Sequence, residues 1–151
     1  MRIPIQVLVY PVRYTDRGWE YLLLKRIPSR GGVWQGVTGG LEEGELLHDA
    51  ARRELYEETG FAPLKIEKID LSYSFPVADE WRHSYSVDVD EITEYVFVAF
   101  LDTGEPVLDP QEHNQYKWCS IDEALQLLYW PNNKKALKQV HDIVVKKGLN
   151  G

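Results

Sequence analysis

The chain has a single cysteine, Cys119, in 151 residues. That excludes an internal disulfide framework and fits a reducing compartment, so a cytoplasmic location is expected. No apolar run approaches the roughly 20 residues that cross a bilayer, and no membrane partner is expected. Lysine and arginine never gather into a dense block, and the net charge is −7. A protein held to nucleic acid mainly by phosphate contacts needs the opposite balance, so no nucleic-acid partner is expected either. An acidic protein can still hold a small polyanion, because divalent cations placed between the two invert the local electrostatics. Repeats, linkers and low-complexity stretches are missing as well. One domain is expected over residues 1–151.

What is present is an ordinary globular composition, 44% hydrophobic and 27% charged, with five Trp and nine Tyr. The rings suit a stacking ligand and a packed sheet equally well. Residues 3–14 read as a half-buried first strand, with Ile3, Ile5, Val7 and Val9 on one face, rather than as a signal peptide. Glu20–Arg26 reads as its hairpin partner, and a short strand follows around Val33–Thr38. A helix is predicted over 46–59, stopped by Gly60 and Pro63. Strands are predicted at 64–75, 92–101 and 116–120, with a polar, exposed loop or mobile hairpin between at 77–90. Ser120-Ile-Asp-Glu123 spells a capping box that opens a helix to about Tyr129, and an amphipathic helix is predicted over 133–147. Strands and helices mix without regular βαβ alternation, which favours an α/β fold with helices packed on a mixed sheet.

The first helix carries the chemistry. At roughly 100° per residue, Leu46, Leu47, Ala50, Ala51 and Leu55 form one apolar stripe, and Glu54, Glu57 and Glu58 fall within the same half-turn. A solvated acidic face would sit on the other side of the wheel. Carboxylates on an inward face cost several kcal/mol each unless paired or bound to metal. Such an all-oxygen cluster suits Mg²⁺, with Mn²⁺ as a substitute, and leaves positions for waters and substrate phosphates. The glycine-rich stretch Gly39-Gly40-Leu-Glu-Glu-Gly44 immediately before the helix allows close approach of main chain to a ligand or metal.

Gly39, Glu45, Arg53-Glu54-Leu55, Glu57-Glu58 and Gly60-Phe61 together resemble the Nudix box at every defined position. Seven fixed identities occur by chance in about 10⁻⁸ of windows at ordinary residue frequencies. The resemblance implies a Nudix fold, an α/β/α sandwich around a mixed β-sheet. It implies hydrolysis of a phosphoanhydride in a nucleoside diphosphate linked to another moiety, with Mg²⁺ as the usual cofactor. By the same resemblance Glu54, Glu57, Glu58 and the Gly39 carbonyl ligate metal. Arg53 and Glu45 orient those glutamates, a role that overlaps with a plain loop-to-helix salt bridge.

Two candidate bases lie outside the box. Glu94 alternates with Val96, Val98 and Phe100 on the strongest strand, and Glu112 sits in the loop Asp109-Pro-Gln-Glu-His113. Trp34-Gln-Gly-Val-Thr-Gly39, His83-Ser-Tyr85, Glu94, Glu112-His113, Tyr116-Lys-Trp118 and Trp130-Pro-Asn-Asn133 resemble the branch of the family that acts on dihydroneopterin triphosphate, also labelled dATP pyrophosphohydrolase. That resemblance favours Glu112 as the base. Lys25, Arg26 and Arg30 are candidate phosphate contacts, Trp34 a candidate ring-stacking residue, and His83 and Tyr85 further substrate contacts. The expected substrate is a small nucleoside or pterin triphosphate, cleaved to the monophosphate and pyrophosphate. A dinucleoside polyphosphate or an RNA 5′ end is the first alternative, and a non-catalytic nucleotide-binding module the second.

Overall fold

A computed structural model describes residues 1–150, with side chains through Lys147. Its elements are β1 (Ile5–Thr15), β2 (Gly18–Arg26), β3 (Trp34–Gln35), β4 (Val37–Gly40), α1 (Leu47–Thr59), β5 (Lys65–Pro76), β6 (Glu91–Phe100), β7 (His113–Cys119), α2 (Ile121–Leu127) and α3 (Pro131–Asn150). The strands form one sheet in the order β3-β2-β1-β6-β5, with β4 added to β1 and β7 to β2. β1 runs parallel to β6 and antiparallel to β2 and β4, so the sheet is mixed. None of the described helices is long and apolar enough to cross a membrane.

The period-2 alternation of the central strands builds two cores, one on each side of the sheet. Val7 and Val9 of β1, Leu22 and Leu24 of β2 and Phe97 of β6 pack against Ala50, Ala51 and Leu55 of α1. Leu8, Tyr10, Val12, Tyr21, Leu23, Val96 and Val98 face the other way, onto Ala124 of α2 and Ala136, Leu137, Val140 and Val144 of α3. Each such side chain removed from water contributes about 1.5–3 kcal/mol. The result is an α/β/α sandwich. β1 is therefore buried on both faces rather than half-buried, because it sits in the middle of the sheet with helices on either side.

The start of the first helix also differs from expectation. Leu46 is the extended residue that precedes α1, so the helical wheel does not apply to it, and it is 70% exposed. The helix ends as expected at Gly60, whose φ of 77° lets its N–H bond the Tyr56 carbonyl at 2.8 Å. The segment 77–90 is a largely exposed, internally hydrogen-bonded loop, the first of the two forms expected of it. Val77 N–H bonds the Asp90 carbonyl at its base, Asp79–Ser84 turn as a 3₁₀ helix, and the Arg82 guanidinium donates to the carbonyls of Ser86 and Val89. Ser120 and Glu123 form the reciprocal cap of α2.

Candidate active site

Alternation also decides which charged residues meet. Arg26 shares the face of Leu22 and Leu24, so it points to the α1 side, where the last two turns of that helix bring Glu54 and Glu58. A tight turn then adds a third acid. Glu112 and His113 both donate their N–H to the Asp109 carbonyl at 3.0 Å, and Ile27 N–H bonds the Glu112 carbonyl, pinning the loop to the end of β2. Ligand atoms of Glu58, Glu112 and His113 lie within 4.8 Å of one another.

Glu58 is 3% exposed, and its Oε2 has no hydrogen-bond partner among the described residues. Burial is the largest cause pushing its pKa well up, followed by its contacts with Glu112 and Glu54. Glu54 is pushed up to about 7, again first by burial, although the Arg53 guanidinium pulls the other way. His113 is held down to about 4 by burial and by Arg26, so it is neutral. Burial also lowers the pKa of Arg26, against the opposing pull of Glu58 and Glu112. Two of the three carboxylates are thus pushed upward chiefly by burial, a perturbation of the kind that gathers at functional sites.

Arg53 holds the front of this cluster. Its Nε and Nη2 donate to the two oxygens of Glu45 at 2.8 and 3.0 Å, its Nη1 to Glu54 at 2.7 Å and to Glu57 at 3.3 Å, and its Nη2 to the Gly40 carbonyl at 2.9 Å. The Glu45 bond is the largest cause holding its proton above the usual guanidinium range. One side chain thus ties the loop, the helix and three of the box glutamates together.

Gly39 stands against Glu54 with no room to spare. A Cβ built on Gly39 falls 1.9 Å from Glu54 Cδ. The backbone there lies outside the positive-φ region, so alanine is conformationally acceptable and only the carboxylate has to move. Gly39→Ala is therefore expected to fold and to lose about 100-fold in turnover, the usual consequence of displacing a reacting group by about 1 Å. Thermal unfolding alongside steady-state kinetics checks this, and unchanged turnover would detach Glu54 from the chemistry.

The cluster opens into a cavity of about 580 Å³. Gly39, Gly40, Glu54, Glu58, Arg26 and Glu112 line one end. The other end lies beyond the sheet, where Gln6, Tyr73, Glu94 and Asn133 supply polar groups and Trp81, Tyr85 and Trp130 supply rings. The volume is that of a small-molecule site with room for a heterocycle and its phosphates.

Residues 3–140 match the NUDIX domain. The chain belongs to the Nudix family. An octanoyltransferase of Myxococcus xanthus is 33% identical over 122 residues, 78% of this chain but only 31% of that protein's own length. Dihydroneopterin triphosphate diphosphatase of Escherichia coli strain K12 is 31% identical over 140 residues, covering 90% of this chain and 91% of that one. The crystal structure of a Nudix hydrolase from Listeria monocytogenes superposes with a TM-score of 0.83 at 30% identity, over 96% of this chain and 97% of its own.

Within this Nudix fold the expected site residues divide in two. Glu54, Glu58, Gly39, Arg26, Arg30, Glu112 and Tyr85 line the cavity. Glu57, Lys25, Trp34 and His83 are not among its described lining residues. Glu57 stands at the outer edge of the half-turn, its side chain 54% exposed and joined to Arg53. Lys25 is one residue out of phase with Arg26 and so turns to the α2/α3 side. Trp34 pairs directly with Lys25, shares that face, and packs on the core there. His83 is exposed at the end of the 3₁₀ turn.

Gln6 interrupts the apolar run of β1, and Glu94 does the same in β6. Register sets Gln6 directly beside Glu94, and Tyr73 beside Glu94 on its other side. Three polar residues thus form a row across β1, β6 and β5, which no reading of single strands reveals. His113 had no signal beyond its place after Glu112.

Proposed function

We propose that the protein is a divalent-cation-dependent pyrophosphohydrolase that breaks a phosphoanhydride bond of a nucleoside or pterin triphosphate, releasing the monophosphate and pyrophosphate. The observation that carries this is the meeting of buried Glu58 with half-buried Glu54 and Glu112 in the wall of one cavity, with the Gly39 backbone against Glu54. The donor set fits a hard cation. Glu58 Oε2 is unpaired, and the missing Cβ of Gly39 leaves Glu54 and the adjacent carbonyls free to converge. Glu54, Glu58 and the Gly39 carbonyl would hold the ion, with Glu57 reaching in from the rim. When bound, Mg²⁺ or Mn²⁺ supplies charge neutralisation across the pyrophosphate and makes a water easier to deprotonate.

The chain's own residues do the rest. Arg53 keeps Glu54 and the Gly40 carbonyl in place, as a partner behind the ligands does. Arg26, with its Nε buried and unpaired, and Arg30 beside it bind phosphate oxygens. Glu112 takes the proton of the attacking water. A new P–O bond forms to that water while the bridging oxygen leaves with the pyrophosphate. Glu94, the other candidate base, is on the far face of the sheet with both oxygens already accepting hydrogen bonds, from Gln6 and Tyr73.

The test is hydrolysis of nucleoside triphosphates, dihydroneopterin triphosphate, dinucleoside polyphosphates, RNA 5′ ends and ADP-ribose with Mg²⁺ and with Mn²⁺. Cation-dependent release of pyrophosphate from triphosphates is expected. No turnover of any substrate by protein that still binds the cation would instead make this a nucleotide-binding module.

A further inference from the structure

The far end of the cavity holds a buried carboxylate that this chemistry leaves idle. Glu94 is 3% exposed, and among the described residues no cation forms an ion pair with it. Such a group costs several kcal/mol unless something compensates it. Only donors reach it from the protein. Gln6 gives its amide N–H to one oxygen and Tyr73 its hydroxyl proton to the other. Asn133 donates to the Tyr73 oxygen at 3.3 Å, and Tyr10 fixes the Asn133 backbone through its carbonyl at 2.9 Å, so the Tyr73 proton has no other place to go. Each Glu94 oxygen has used one acceptor position and keeps another, and both residues flanking the carboxylate also line the cavity.

We infer that Glu94 reads the substrate's head group, selecting a flat heterocycle whose edge presents two adjacent N–H donors, as the ring N–H and 2-amino group of guanine or a 2-aminopterin do. This rests on the pyrophosphohydrolase reading of the opposite end. A carboxylate accepts two parallel N–H bonds from such an edge, as it does from a guanidinium. Adenine offers a donor beside a ring acceptor, and that acceptor would meet a carboxylate oxygen. Trp130, Trp81 and Tyr85 supply ring faces around the same end of the cavity. Arg2 lies 6.0 Å from the Trp81 ring and 5.6 Å from the Tyr85 ring, which leaves its positive charge in the cavity wall between the two ends.

The experiment compares kcat/KM for GTP, ITP, ATP and dihydroneopterin triphosphate. ITP differs from GTP only by the missing 2-amino group, so the wild-type protein alone isolates one of the two bonds. GTP is expected to exceed ITP by about 10-fold and ATP by about 100-fold, with dihydroneopterin triphosphate grouped with GTP. In Glu94→Gln the GTP:ITP ratio is expected to fall towards one, and the preference to turn towards ATP, because an amide matches adenine's donor–acceptor pair. If that variant does not fold, the wild-type comparison decides. Equal efficiency on GTP, ITP and ATP overturns the inference and leaves the hydrolase reading standing. Hydrolysis of none of them overturns both.

Discussion

Glu58→Gln is expected to lower kcat/KM by about three orders of magnitude or more while the protein folds and unfolds cooperatively. The side chain sits in the last turn of α1, almost wholly buried, with one oxygen unpaired and the other facing Glu112 and His113. An amide of the same size keeps the packing and discards the charge. Among the described residues no cationic side chain forms a close ion pair with it, His113, 4.0 Å away, is neutral, and the pull of Arg26 is outweighed by burial and by the neighbouring acids. Without cation the variant is expected to be at least as stable as the wild type, since a buried carboxyl among acids is replaced by a neutral group. Activity and stability therefore move in opposite directions, which a merely structural glutamate would not do. Calorimetric titration with Mg²⁺ and thermal unfolding, measured beside turnover, separate the two. Glu57→Gln, at the exposed rim, is expected to lose activity through weaker cation binding, recovered in part at high Mg²⁺. Turnover close to wild type in Glu58→Gln would end the metal assignment.

Sequence made the acidic end of the site legible, because its signals are local. Glu54 and Glu58 lie one turn apart on a short helix, so their shared face follows from helical geometry alone. Arg53 and Glu45 come from the same short stretch, and Gly39 reads as a close approach before its contact with Glu54 is known. Glu57 sits at the margin of the same half-turn, where tens of degrees decide between cavity and solvent, and the wheel does not resolve that. The grouping at the other end was not legible, although Tyr85 and Glu94 were candidates singly, and for a different reason. Gln6, Tyr73, Glu94 and Asn133 come from three strands and a helix, separated by up to 127 residues, and only strand register brings them into one row. Lys25 and Arg26 show the same limit, since a one-residue phase puts neighbouring cations on opposite faces of the sheet. Trp34 followed Lys25 across for that reason.

The titration behaviour of Glu54 leads to the second large effect, a metal-free protein that loses stability as pH rises. Burial lifts the folded-state pKa from 4.5 to about 7. Between those values the native protein keeps a proton that the unfolded chain has released. The native state therefore binds more protons, and its stability falls as pH increases through that window. The contribution is fully present below about pH 4.5 and gone above about pH 7, and a shift of this size is worth about 3 kcal/mol. Glu58 is displaced in the same direction and adds to the slope. A divalent cation binds the ionised carboxylates, so saturating Mg²⁺ offsets the loss at high pH and does little at low pH, where protons compete for the same oxygens. The gap between Mg²⁺ and chelator melting curves is expected to be negligible near pH 5 and about 10 °C near pH 8, at roughly 2–4 °C per kcal/mol for a chain of this size. Glu54→Gln is expected to flatten the metal-free profile between those pH values. A wild-type melting temperature that does not fall over that range without metal would show that the cluster is better compensated than its contacts imply.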